Sequence, residues 1–173
     1  MQVATRIRVG MGLSVIERMD VAKLAERYEV ALLNLSELEC SGAVRAYLSG
    51  QGNESISGMV FPYDGEHVAV INDRHDPERI RSTVTHEISH VVLQHTFALR
   101  MMGLDECSEA DRDQEDEATE LGGELLIPRQ TARSAAFEGK SEVELAEQFG
   151  VSVEMARWRM NVSGGRQIRT RAR

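Results

Sequence analysis

The segment THEISH, residues 85–90, carries two histidines four positions apart and a glutamate directly after the first. Residues i and i+4 of an α-helix lie on the same face, so the imidazoles of His86 and His90 can converge on one metal ion. Glu87 lies one position along, where its carboxylate can reach a water on that ion rather than the ion itself. The HExxH pattern therefore predicts a Zn²⁺ site with a catalytic base, suited to metal-assisted hydrolysis.

A catalytic zinc ion usually has three protein ligands, so a third must come from elsewhere in the chain. The pattern HExxHxxGxxH is absent, because Leu93 and Thr96 occupy the positions of its glycine and third histidine. A glutamate from a later helix is the other common solution, and the acidic segment 113–127 supplies several. Glu115 and Glu117 flank the apolar stripe predicted for that helix, and spacing alone leaves both as candidates.

A small sheet and several helices are predicted to position these residues. Alternating apolar runs indicate a mostly antiparallel sheet over residues 30–72, and the Asp-Gly of YDGEH predicts a hairpin turn. The predicted strands cover residues 30–35, 43–48, 56–63 and 67–72. The predicted helices cover residues 21–28, 77–95 and 113–127, with two shorter ones capped by Ser141 and Ser152. The predicted class is α+β, with the sheet packed beside a helical bundle that carries the HExxH helix.

The length and composition predict one domain. The chain has 173 residues, of which 42% are hydrophobic, an ordinary value for a globular protein. We predict a single domain over residues 1–162, with an N-terminal extension at 1–19 and a C-terminal helical element at 141–162. Residues 163–173 are predicted to form a flexible basic tail.

Charge and cysteine usage restrict the classes of partner. The net charge is −8, and residues 157–173 carry six arginines and no acid, so the rest of the chain sums to −14. An acidic body argues against a nucleic-acid-binding protein. No apolar run approaches the roughly 20 residues of a membrane span, and no signal-peptide cleavage site is evident. Cys40 and Cys107 lack a CxxC partner, so we predict a cytoplasmic protein without a disulfide framework.

Two features near the C-terminus have alternative interpretations. The segment LAEQFGVSVEMARWRMN is similar to a DNA-binding helix-turn-helix, but Ala156 and Arg159 stand where apolar anchors are expected. Gly122 and Gly123 lie inside a predicted helix, which indicates close approach of a neighbouring helix. The weak anchors at Ala156 and Arg159 argue against DNA binding by the segment LAEQFGVSVEMARWRMN.

Five segments, in order along the chain, resemble the ImmA/IrrE-type zinc metallopeptidases. They are ISGMVF, VAVIN, RIRSTVTHEISH, EATELGGELLIP and FGVSVEMARWRMN, and the resemblance covers roughly residues 20–162. It implies that Glu117, just before Ala118, is the third metal ligand and that Glu87 is the catalytic base. It also implies a zinc-dependent endopeptidase that cleaves a helix-turn-helix transcriptional repressor of its own regulatory circuit.

Two other functions stay open at this point. One is a DNA-binding regulator in which the metal is structural, and the other is a module that sequesters a repressor without cutting it. The sequence does not single out a residue to stabilise the oxyanion of a cleavage intermediate. The candidates for that role are His67, His75, His95, Tyr28, Tyr47 and Tyr63. The substrate, the activating signal and the oligomeric state are not predicted.

Overall fold

The fold combines helices with one small sheet, which confirms the predicted α+β class. The computed structural model describes residues 2–39, 56–96, 109–166 and 168. Within these residues the helices are α1 (Gln2–Gly10), α2 (Val21–Arg27), α3 (Pro77–Val92), α4 (Glu109–Leu126), α5 (Arg129–Glu138), α6 (Glu142–Phe149) and α7 (Val153–Val162), and the strands are β1 (Val30–Asn34), β2 (Gly58–Tyr63) and β3 (Glu66–Ile71).

The chain forms two compact units, and the boundary between them falls within α4. One unit is residues 21–119, and the other is residues 1–20 together with 120–173. The predicted strand at 43–48, Cys40, Tyr47 and Cys107 lie outside the described residues. None of the described helices is both long enough and apolar enough to cross a membrane. The assignment of residues 1–162 to one domain stays a prediction.

The sheet in residues 21–119 has the order β1-β3-β2. The predicted hairpin is confirmed: β2 and β3 are antiparallel, and Asp64 and Gly65 form its turn with positive φ angles of 51° and 84°. However, β1 is parallel to β3, so the sheet is mixed rather than mostly antiparallel. Residues 35–57 separate β1 from β2, and a connection of that length permits a crossover that a short turn would forbid.

The core of this unit lies between the central strand and α3. Because β3 has a neighbour on each side, its residues 68–71 are buried as a continuous apolar run. Helix α3 packs on β2 and β3 and buries Val84 and Ile88, which lie four positions apart on one face of the helix. It begins with Pro77 directly after Asp76, as predicted, but ends at Val92. The predicted end at His95 is therefore three residues too late.

The other unit, residues 1–20 with 120–173, is helical throughout its described elements. The predicted caps are confirmed, since the hydroxyls of Ser141 and Ser152 accept hydrogen bonds from the backbone N–H groups of Glu144 and Met155. Helices α1 and α5 were not predicted. Their sequences, QVATRIRVG and RQTARSAAFE, contain few large apolar residues at helical spacing, so periodicity gives little signal there.

A buried arginine anchors the core of this helical unit. The Arg159 side chain is fully buried, and its guanidinium contacts the carboxylates of Glu120, at 3.1 Å, and Glu124. Its Nε also donates a hydrogen bond to the backbone carbonyl of Ile127 at 3.1 Å. The close approach predicted at Gly123 is confirmed as well, because a Cβ there would lie 2.5 Å from the ring of Trp158. Arg159 thus stands at an apolar position of α7 because its charge is paired within the core.

The N-terminal segment is tied into the same unit by a second buried arginine. The Arg8 guanidinium donates hydrogen bonds of 2.6 Å to the carbonyls of Leu125 and Ser14, and another to that of Glu17. Burial lowers the pKa of Arg8, while the carboxylates of Glu17 and Glu124 oppose that shift. The N-terminal segment therefore packs into this unit through hydrogen bonds of a buried cation.

We predict that Arg159→Met destabilises the protein by about 3–5 kcal/mol, because it leaves the buried Glu124 carboxylate without its cation. Arg157→Met is the matched control on the same helix, since the Arg157 side chain is 55% exposed. Denaturant unfolding measures both variants. The double variant Arg159→Met/Glu124→Leu is expected to recover most of the loss, because it removes the unpaired charge. An Arg159→Met protein as stable as Arg157→Met would contradict the prediction.

Candidate metal centre

His86 and His90 of α3 point their ring nitrogens at one another, as their four-residue spacing predicts. Their Nε2 atoms lie 3.1 Å apart. Glu115 of α4 completes the cluster, with its Oε2 3.2 Å from His86 Nε2 and its Oε1 3.7 Å from His90 Nε2. One ligand atom from each of the three residues lies within 4.8 Å of the others. The structure therefore brings two imidazoles and one carboxylate around a single point.

The donor set of this cluster fits a divalent metal ion. Bonds of 2.0–2.1 Å at tetrahedral angles place the ligand atoms of a zinc site about 3.3 Å apart. The 3.1 Å between the Nε2 atoms of His86 and His90 and the 3.2 Å between His86 Nε2 and Glu115 Oε2 lie close to that value. Two neutral imidazoles and a carboxylate present lone pairs to one point, and these repel unless a proton or a cation lies between them. Two histidines and a glutamate are also one of the ligand sets of catalytic zinc.

Glu117 occupies a different position from Glu115. Its Oε2 lies 3.2 Å from Nε2 of His95, and its side chain is 67% exposed. Glu115 is three residues before the fully buried Ala118 and therefore shares the inward face of α4, which Glu117 does not. Of the two acids that spacing left open, Glu115 is the one placed beside both histidines. The role of Glu117 as a metal ligand stays a prediction.

Glu87 lies in an environment suited to a proton acceptor. The residue is buried beside the cluster, and the backbone N–H of Val60 on β2 hydrogen-bonds to its carboxylate. Burial, followed by the negative charge of Glu115, raises the pKa of Glu87 to about 7. Strand β2 packs against α3 and covers the part of the helix that carries Glu87. A carboxylate with a pKa near neutrality can both accept and release a proton.

His95 is a member of the site that sequence reasoning did not place. It was one of six candidates for an oxyanion donor, and the structure puts its Nδ1 3.0 Å from Nδ1 of His90. His95 is nearly buried, while its Nε2 contacts Glu117. No signal in the sequence indicated this contact, because the helix was predicted to continue to His95, and a helical residue 95 would lie about 140° around the axis from His90.

The family comparison agrees with this geometry. The model of the IrrE N-terminal-like domain, a peptidase family, matches residues 44–161, which is more than half of the chain. The chain belongs to this family. No curated protein matched the chain. The match to the IrrE N-terminal-like domain includes the HExxH helix, all of α4 and the first nine residues of α7. The match confirms the resemblance drawn from the sequence, and it places the chain in a metallopeptidase-type family.

We predict that Glu115→Gln lowers Zn²⁺ affinity by more than about 100-fold, a larger effect than loss of an outer-shell partner typically causes. Gln keeps the size of the side chain but removes its charge. Asp116→Asn is the matched control, because Asp116 is an exposed neighbour outside the cluster. Competition with a fluorescent chelator gives the affinities. Equal zinc affinities of the two variants would exclude Glu115 as a ligand.

Proposed function

We propose that this member of the IrrE N-terminal-like domain family is a zinc-dependent endopeptidase. The observation that supports it is the grouping of His86, His90 and Glu115 around one point, with Glu87 buried beside them. A structural zinc site normally has four protein ligands, whereas a catalytic site keeps one position open. A three-residue donor set with an adjacent acid therefore favours catalysis over a purely structural metal.

The residues of the site have different roles in the proposed hydrolysis. When bound, a divalent cation would act as a Lewis acid that polarises the scissile carbonyl and acidifies water. His86, His90 and Glu115 would hold that cation. Glu87 accepts the proton of the attacking water and then delivers it to the nitrogen of the leaving amine. The Val60 N–H orients the Glu87 carboxylate for both transfers, because it hydrogen-bonds to that carboxylate.

We infer further that the substrate is a helix-turn-helix transcriptional repressor. The family resemblance implies such a substrate, and the charge of the chain is compatible with it. Residues 112–119 of α4 hold four acids, Glu115 among them, against one base, Arg112. DNA-binding proteins carry basic surfaces, so an acidic segment at the site favours encounter with them over encounter with acidic proteins.

A DNA-binding role for the α6–α7 segment is less well supported. Arg159 is fully buried and paired with two carboxylates, so it cannot contact phosphate. Arg157 and Arg166 both lie against Glu142, at the N-terminus of α6. Helix α6 also carries Glu144 and Glu147, which would repel a phosphate backbone. These contacts favour the structural role that the family resemblance implies for this segment.

The variant Glu87→Gln tests the proposed reaction. It preserves the shape of the side chain but cannot accept a proton, so we expect normal zinc content and a loss of cleavage of at least about 100-fold. The probe is an extract of the source cells, in which mass spectrometry identifies new protein N-termini after incubation with each protein. Wild-type protein should create a small set of N-termini that the variant and chelator-treated wild type do not.

Identical sets of N-termini from the wild type and a zinc-loaded Glu87→Gln protein would contradict the peptidase proposal. The variant also separates cutting from sequestering. If it relieves transcriptional repression as fully as the wild type does, the protein acts by binding its repressor. If relief is lost while zinc content is kept, cleavage is required.

A further inference from the structure

The end of α3 turns the chain so that His95 returns over His90. Gln94 adopts the left-handed conformation with φ 56°, and its N–H donates to the carbonyl of Val91. The N–H of His95 donates to the carbonyl of His90 at 3.0 Å. This pair of hydrogen bonds defines a Schellman motif, which usually has glycine in the left-handed position. The backbone therefore fixes His95 beside the second histidine of HExxH, despite the cost of a non-glycine residue there.

The side chains of this region form a continuous series of contacts from one glutamate to the other. Glu115 contacts His86 at 3.2 Å, His86 contacts His90 at 3.1 Å, His90 contacts His95 at 3.0 Å and His95 contacts Glu117 at 3.2 Å. His90 uses Nε2 toward the metal cluster and Nδ1 toward His95. The two nitrogens of this one imidazole thus have different partners.

The carboxylate of Glu117 sets the direction of the hydrogen bonds in this series. An ionised carboxylate only accepts, so His95 donates its Nε2–H to Glu117. A neutral imidazole that donates from Nε2 accepts at Nδ1, so His95 Nδ1 accepts the Nδ1–H of His90. His90 is then left with a lone pair on Nε2, the nitrogen that lies beside His86 and Glu115. This is the tautomer that a metal ligand requires.

We infer that His95 and Glu117 are positioning residues, which hold His90 in the Nδ1–H tautomer and orient its Nε2 toward the cation. The inference rests on the proposed metal site and gives Glu117 a role outside the ligand set. Metal-ligating histidines commonly donate their second N–H to such an outer partner. Here the outer partner of His90 is a second histidine, His95, and the ring orientation of His95 depends on the exposed carboxylate of Glu117. His95 is nearly buried, so solvent has little access to its contact with His90.

The first test examines the tautomer of His90 in metal-free protein. Asn and Leu have the same shape, but the Asn oxygen takes the approximate place of His Nδ1 and can accept a hydrogen bond, whereas Leu cannot. We compare His95→Asn with His95→Leu by the ¹⁵N shifts of the His90 ring, under mildly alkaline conditions. The Nδ1–H tautomer should dominate in the wild type and His95→Asn and lose population in His95→Leu. An unchanged tautomer in both variants would overturn the inference.

The second test measures Zn²⁺ affinity and includes two variants of exposed residues, Glu117 and Asp116, whose folding is not at risk. Glu117→Ala should lower the affinity about 10-fold, at the lower end of the range for outer-shell partners. Asp116→Ala, the adjacent exposed acid on α4, controls for the loss of one negative charge near a cation. His95→Leu should lower the affinity by about 10- to 100-fold, and His95→Asn should stay close to the wild type. Equal affinities of Glu117→Ala and Asp116→Ala would overturn the role of Glu117.

Failure of this inference is distinguishable from failure of the proposed function. If Glu117→Ala loses as much affinity as His86→Ala does, Glu117 is a ligand and the positioning role is wrong, although the peptidase proposal survives. If wild-type protein binds no metal, the proposed function fails. The His90 tautomer in metal-free His95→Asn and His95→Leu still decides whether His95 orients that imidazole.

Discussion

Three electron-pair donors meet at one point in this protein, and such an arrangement requires a proton or a metal ion between them. The nitrogens of His86 and His90 and the Glu115 carboxylate lie 3.1–3.7 Å apart. Neutral imidazole nitrogens and a carboxylate at these separations repel one another unless a proton or a metal ion bridges them. The fold maintains the arrangement by packing α3 on β2 and β3 and by burying Ala118 on the same face of α4 as Glu115.

The acids of α4 are divided among different cations and polar partners. Glu115 contacts the HExxH histidines and Glu117 contacts His95, while Glu120 and Glu124 pair with the buried Arg159. Positions 115 and 117 are separated by about 200° around the helix axis, so their side chains cannot point in the same direction. Positions 120 and 124 are four apart and can serve one guanidinium together. Four of the eight acids in α4 therefore make specific contacts with other side chains.

Burial gives the polar residues of the site their chemical character. Glu87 lies under β2, and the loss of water together with the nearby Glu115 charge raises its pKa to about 7. His95 lies at a Schellman turn and is nearly buried, so solvent has little access to its contact with His90. The first effect depends on β2, which is far from Glu87 in sequence. The second depends on the hydrogen bonds at the end of α3. The same side chains on an isolated helix would be solvated and would lack these properties.

The sequence by itself determined the features that depend on local spacing. The i, i+4 histidines, the Asp-Gly hairpin, the Ser141 and Ser152 caps and the family resemblance all follow from neighbouring residues. Tertiary structure decided the rest: the parallel pairing of β1, the ion pairs of Arg159, and which of Glu115 and Glu117 lies beside the HExxH histidines. Periodicity reports which face of an element is apolar, but not which element covers that face. The partner of a charged side chain depends on which helix lies opposite, and a one-dimensional pattern does not contain that information.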